Sequence, residues 1–246
     1  MNEAGLERIW VFLAASPLAG LTVTLAAYVI AWRIHAAARM NPLLHPVALS
    51  VAMLIGLLMA TGVSYRDYFD GAQFVHFLLG PATVGLALPL YRQLDRVRRV
   101  IVPLAAGLAA GIVGGLAVAV AVGLALGGSL ETVLSLAPKS ATAPVAMGVA
   151  ERIGGLPSLT AVLVVATGIL GAVIGVPLLR SLGIRDDAVA GVAMGSTAHG
   201  IGTARAFQVS EEMGAFSGLA MAISAFLIAL VLPTLLAAFG LPGAAP

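Results

Sequence analysis

The sequence predicts an all-α integral membrane protein with about six full transmembrane helices, two interrupted helical segments and a faint internal repeat. Three observations predict this. Hydrophobic residues make up 60% of the 246 positions and charged residues only 10%, with a mean hydropathy of +1.05; a soluble domain averages about 25% charged residues. Six stretches (9–32, 40–65, 71–91, 100–130, 153–179 and 213 onward) lack Asp, Glu, Lys and Arg, and each reaches the roughly 20 residues that cross a bilayer. Long Ala, Leu and Val runs fit spanning helices rather than the weak alternation of a barrel. One transmembrane domain over 1–246 follows.

In chain order, the elements expected are helices over 9–32, 44–63, 73–91 and 100–127, an interrupted segment over 130–151, a helix over 156–179, a second interrupted segment over 188–209, and a helix over 213–239. Ahead of the first run Glu3 and Glu7 outweigh Arg8, and no clear A-x-A site follows it, so it reads as a retained span, not a signal peptide. Asn41-Pro42 starts the second helix as a turn. Gly80-Pro81 predicts a kink in the third, with Thr83 to satisfy freed backbone groups; His76, near its start, reads as interfacial or structural. Arg92, Arg96, Arg98 and Arg99 against Asp95 alone make the next loop cytoplasmic by the positive-inside tendency. Counting back puts the N-terminus outside and the Arg33/Arg39 loop inside.

Both interrupted segments are short for two full crossings. Each fits either one broken crossing or a re-entrant hairpin. Hairpins would make the two units an inverted repeat, whereas crossings would make them parallel. A shift of 60 residues lays 138–159 over 198–219 with five identities in 22 positions, and superposes Lys139 on His199. Carriers build midplane sites from such paired interrupted segments.

In "LAPKSATAPVAMG", Pro138 and Pro144 bracket Lys139, Ser140 and Thr142. Each proline removes a backbone donor and disfavours a continuous helix, so freed polar groups and a lysine suit a carboxylate. The plain alternative is an extramembrane loop with a solvated lysine. In "GSTAHGIGTARA", Gly195, Gly200 and Gly202 permit close approach or positive φ, and Ser196, Thr197 and Thr203 supply hydroxyls. His199 can donate to an anion or carry a coupling proton, and Arg205 can hold a carboxylate in two-pronged fashion. Their plain alternatives are a hydrogen-bonded core histidine and an arginine snorkelling to headgroups. Asp186-Asp187 and Glu211-Glu212 read as caps or solvated loop charges. Gly107, Gly111 and Gly115 recur every four residues, a pattern that brings membrane helices together.

The absence of cysteine excludes disulfides and thiolate chemistry. No His/Glu spacing suits a metal, no nucleophile triad is spaced for an enzyme, and the scattered G-x-G patterns lack the setting of a nucleotide site. The pI of 9.4 comes from short topology-setting loops, not a nucleic-acid patch. No cofactor is expected.

"NPLLHPV", "GPATVGLALPLY", "LAPKSATAPVAM", "IGGLPSLTAVLVVATGILGAVIG" and "HGIGTARA…GAFSGLAMA", in this order over about 41–236, resemble the LrgB/CidB family. The resemblance implies a multi-pass protein of the bacterial inner membrane, often made with a smaller LrgA-like membrane partner. Members are described as holin-like or antiholin-like modulators of murein hydrolase activity and lysis. The similar plastid glycolate/glycerate translocator and bacterial links to pyruvate imply transport of small hydroxy- and keto-carboxylates. Ala198 and Gly200 stand where relatives commonly carry serine and alanine, and Ala141 and Ala143 where they carry valine and threonine; the lost hydroxyls bear on the substrate. The resulting expectation is a homo-oligomeric secondary carrier, not an enzyme, for a small organic acid anion such as glycolate, glycerate or pyruvate. A proton is the candidate coupling ion. Lys139, Ser140, Thr142, His199, Gly200, Gly202, Thr203 and Arg205 form the site. The rival expectation is a holin-like assembly of apolar helices that modulates lysis.

Overall fold

The computed structural model describes residues 17–78, 81, 84–85 and 87–238, except the side chains of 17, 42, 76–78, 87 and 237–238. All regular structure among them is helical. The chain divides into two compact units, 1–85 and 86–246.

The first unit contains α1 (Pro17–Ala37), a 3-10 turn (Pro42–Leu44), α2 (Pro46–Thr61), α3 (Tyr65–Ala72) and a second 3-10 turn (Gln73–Leu78). Asn41 caps the first 3-10 turn by accepting from Leu43 N at 3.0 Å. Pro46 opens α2, and Gly62 closes it with φ 68° and its N–H bonded to Leu58 O. These stops leave α2 with 16 residues, below the roughly 20 that a span needs. The expected helix over 44–63 is thus corrected to a shorter one. Ser64 accepts from Asp67 N at 3.2 Å and starts α3, which sequence reading placed in a loop. α1 and α3 touch through Gly20, where a Cβ would lie 2.4 Å from Tyr68 O. The start of the helix expected over 9–32, the Gly80-Pro81 kink with Thr83, and the His76 side chain lie outside the described residues.

The second unit begins with α4 (Ala87–Arg92) and α5 (Leu94–Arg99). It continues through α6 (Ile101–Ala125), α7 (Leu130–Leu136), α8 (Ala143–Ile153), α9 (Pro157–Ser181), α10 (Asp187–Val209) and α11 (Glu211–Ala238). Among the described residues, four helices are long and apolar enough to cross a membrane: α1, α6, α9 and α11. α2 is a shorter apolar helix, and part of the helix expected over 73–91 lies outside the described residues, which give a 3-10 turn at its start and α4 at its end.

α10 is two limbs meeting at His199, whose φ 40° and ψ −133° lie outside the helical range. A straight 23-residue helix would hold its ends about 33 Å apart. Instead Ser210 Oγ, just past the end of α10, donates to Asp187 Oδ2 at its start, at 2.6 Å. A Cβ on Gly202 would lie 3.0 Å from the carbonyl of Met194, eight residues back. The limbs therefore fold back on each other. Gly191 and Gly195 bring the first limb against the backbone of α11, where Cβ atoms would lie 2.4 Å from Met213 O and 2.0 Å from Ser217 O. On α9, Gly175, Gly171 and Gly168 receive Met194, Ala198 and His199 in turn, so the first limb runs antiparallel to α9.

α7 and α8 form the other interruption. Their connection at 137–142 is held by Lys139 N donating to Leu136 O at 3.1 Å and Ala141 N to Pro138 O at 2.9 Å. The chain then returns towards its entry: Leu156 N donates to Ser135 Oγ at 2.7 Å, and Thr160 Oγ1 donates to Ser135 O at 2.9 Å. The base of this turnback thus lies at the start of α9. The base of α10 lies at the other end, where Val176 packs with Ala190, Met194, Ala206 and Met213. The two folded-back segments enter from opposite ends of α9.

Candidate functional site

The two interruptions meet through one residue of α9. The Val164 side chain is fully buried in a cluster with Ala137 and Ala141, which flank Lys139. Its carbonyl oxygen receives His199 Nε2 at 2.8 Å. A carbonyl only accepts, so Nε2 carries the proton and Nδ1 of a neutral ring keeps the lone pair.

The second limb starts at His199, whose φ/ψ breaks the helix, and a carbonyl at such a break inside a membrane gains from a side-chain donor. Thr203 Oγ1 supplies it at 2.8 Å. With its proton directed there, Thr203 accepts from Ser217 Oγ of α11 at 2.9 Å. Thr203 is 2% exposed, so both bonds lie away from water.

The expected site residues divide into two groups. Lys139, half-buried in the first interruption, points its Nζ at Ser140 Oγ at 3.5 Å. Ser140 also lines a small cavity of about 30 Å³ with Gly111, Ile228 and Leu232. Thr142 caps α8 by position, without a side-chain cap bond. His199 and Thr203 are brought together at the second interruption. The break falls on His199, beside Gly200 as expected. Gly200 is exposed, with room for a Cβ whose nearest neighbour would be Met221 Sδ at 3.9 Å. Gly202 and Gly195 lie within the limbs, where they permit close approach. Arg205, about one and a half turns along the second limb, donates from Nη1 to Gln208 Oε1 at 2.9 Å. Its Nε is buried without a hydrogen-bond partner.

A larger cavity of about 420 Å³ is walled by α6, α10 and α11 and reaches from Arg96 and Asp186 to Gly107, Gly111, Ser196 and Thr197. Gly111 lines both cavities. The glycine face expected to mate with another helix thus borders an intramolecular space. At the cavity's charged end, Arg96 bonds Asp186 at 2.9 Å and also pairs with Glu212, while Arg92 pairs with Glu211 at 3.0 Å. Asp186 additionally caps α10 by accepting from Val189 N at 3.0 Å. These carboxylates join the α4–α5 arginines to the starts of α10 and α11.

Sequence reasoning missed Val164 and Ser217, which hold the second break, and Ser224, whose fully buried hydroxyl has no hydrogen-bond partner. Only their places in α9 and α11 reveal them. It also missed the buried rings of His35 and His45 in the first unit, whose centroids are 6.3 Å apart.

The LrgB-like family model matches residues 24–238. The chain belongs to the LrgB-like family. Among its relatives, YwbG of Bacillus subtilis (strain 168) is 37% identical over 191 residues, covering 78% of this chain and 85% of that protein. YxaC of the same organism is 33% identical over 76% of this chain and 81% of its own length. The holin-like protein CidB of Staphylococcus epidermidis is 29% identical over 81% of this chain and 87% of its own. No solved structure matches. This family member is a membrane protein, and its matched region takes in both interruptions and all the long helices of the second unit.

Proposed function

We propose that this LrgB-like protein is a secondary carrier for small monocarboxylates, of the class of glycolate, glycerate and pyruvate, in the bacterial inner membrane. The observation that carries the reading is the meeting of two helix breaks at Val164, with His199 bonded to its carbonyl and Ala137 and Ala141, which flank Lys139, in its side-chain cluster. Carriers commonly place substrate between such breaks near the bilayer midplane. An ionisable group in that zone costs at least about 2.5–3.5 kcal/mol on insertion scales, and a function explains its retention.

In this reading α7–α8 and α10 are re-entrant hairpins from opposite faces, and α7–α9 and α10–α11 form an inverted repeat. Limbs of 12 and 10 residues within α10 each reach only about half the bilayer. Lys139 supplies charge to the carboxylate, Ser140 a hydroxyl, and His199 Nδ1 the place for a coupling proton. Gly200 leaves the tip open to a ligand. Thr142, Gly202, Thr203 and Arg205 hold the two turns and their limbs in shape. The 420 Å³ cavity serves as the approach from the Arg96 end.

The names of the staphylococcal relatives favour a second reading, a holin-like protein that permeabilises membranes or restrains a partner that does. An LrgA-like partner and a homo-oligomer belong to either reading. Uptake of labelled glycolate, glycerate, pyruvate and lactate into proteoliposomes, with and without a pH gradient, separates the two. The carrier reading expects saturable uptake that Lys139→Ala abolishes in a folded, monodisperse protein. Release of a neutral dye of similar size without saturable carboxylate uptake replaces it with the holin-like reading.

A further inference from the structure

Ser224 is fully buried, and its Oγ has no hydrogen-bond partner. A serine within a membrane helix ordinarily bonds a carbonyl one turn back, as Thr234 does to Leu230 O at 2.9 Å further along the same helix. A buried, unsatisfied hydroxyl is destabilising, so one held at this depth calls for a partner that comes and goes.

The register of α11 shows what lies around it. Ser217 bonds Thr203, and Met221 Sδ lies 3.9 Å from Thr203 Oγ1, so this part of the helix faces the His199 break. Ile228 and Leu232 pack with Ala137 and Ala141, on the Lys139 break. At about 100° per residue, Ser217, Ser224 and Ile228 fall within roughly 40° of one another around the helix axis. Ser224 therefore lies between the two breaks on the face that meets both. It is also the fourteenth residue of the 28-residue α11 (Glu211–Ala238), at the helix midpoint, which in a spanning helix is the bilayer centre.

We infer that Ser224 is a substrate-binding residue, donating its hydroxyl proton to a carboxylate oxygen of a small monocarboxylate held between the Lys139 and His199 breaks. The inference rests on the carrier reading and adds to it a third wall, from α11. A hydroxyl serves here because it can donate to a carboxylate without adding another charge.

The test uses the full chain in proteoliposomes. Ser224→Ala removes no bond within the protein, so its thermal stability should equal or exceed that of the natural chain. Its KM for glycolate should nevertheless rise about tenfold or more, the scale of a lost hydrogen bond to a charged group. Uptake with unchanged KM overturns the assignment, and so does lost uptake accompanied by lost stability, which would reveal a structural partner. Because the chain has no cysteine, Ser224→Cys provides the sole thiol. An anionic methanethiosulfonate reagent should modify it, and saturating glycolate or pyruvate should slow that modification at least fivefold. No modification, or modification at an unchanged rate, overturns the inference. If the natural chain transports no carboxylate, the carrier reading falls, while protection of this thiol still decides whether a carboxylate binds beside Ser224.

Discussion

His199 Nε2 bonds the carbonyl oxygen of Val164 at 2.8 Å, and His199 itself is the residue at which α10 reverses. One residue thus makes the turn and anchors it to the neighbouring helix. A φ of 40° with a bulky side chain costs about 1–3 kcal/mol and persists only where its surroundings enforce it.

Replacement of that residue separates the two roles. His199→Gly removes the strain and the ring together, so the turn should survive with melting temperature close to that of the natural chain. His199→Ala keeps part of the strain and loses the anchor, and should be the less stable of the two by about 1 kcal/mol or more. Both should lose carboxylate uptake. Thermal unfolding in detergent ranks them, and a glycine variant that transports at the natural rate would remove the ring from the mechanism.

Thr203 acts on the same turn through its hydroxyl. Thr203→Val keeps the shape but leaves the His199 carbonyl without its donor and Ser217 without an acceptor, at a cost of about 1–3 kcal/mol. Thr203→Ser should retain most of the stability. Equal melting temperatures for valine and threonine would show that the carbonyl finds another donor.

The glycines make a contrasting pair. A Cβ at Gly195 would lie 2.0 Å from Ser217 O, against 3.9 Å to the nearest neighbour of one at Gly200. Gly195→Ala should therefore destabilise by about 1–3 kcal/mol, the usual cost of overpacking. Gly200→Ala should change stability by less than about 0.5 kcal/mol. Denaturation of the two variants side by side checks this, and the reverse ranking refutes the packing described.

Single cysteines in the cysteine-free chain can establish topology. Positions 95, 187 and 210 should all report the same side of the membrane, because Arg96 pairs with Asp186 and Ser210 bonds Asp187. The arginines of 92–99 place that side in the cytoplasm, so an impermeant reagent should label none of the three from outside intact cells. Labelling of 187 and 210 from opposite sides would make α10 a crossing segment.

How much of this was legible in the sequence depended on the kind of interaction. Pro138 and Pro144 act through their own backbone, so the first interruption was readable where it occurs. The 60-residue shift that set Lys139 on His199 also set one break upon the other. The second break was readable beside Gly200, but glycine was credited with the turn. A strained histidine held by partners on α9 and α11 makes it instead. Val164, Ser217 and Ser224 look like any apolar-helix residues until two helices are laid beside α10. The shortness of α2 was missed because absence of charge does not mark where Pro46 and Gly62 stop a helix.

The bond between Ser210 and Asp187 fixes both feet of α10 at one end of the unit, while α9 and α11 run on past its tip. Their 25 and 28 residues make rods of about 37 and 42 Å, longer than the roughly 30 Å of hydrocarbon, and such rods tilt to fit the bilayer around them. A segment tethered at one foot has no such demand on it. In a bilayer the two long helices therefore meet excess length by tilting, whereas α10, with both feet at one end, ends part-way along them.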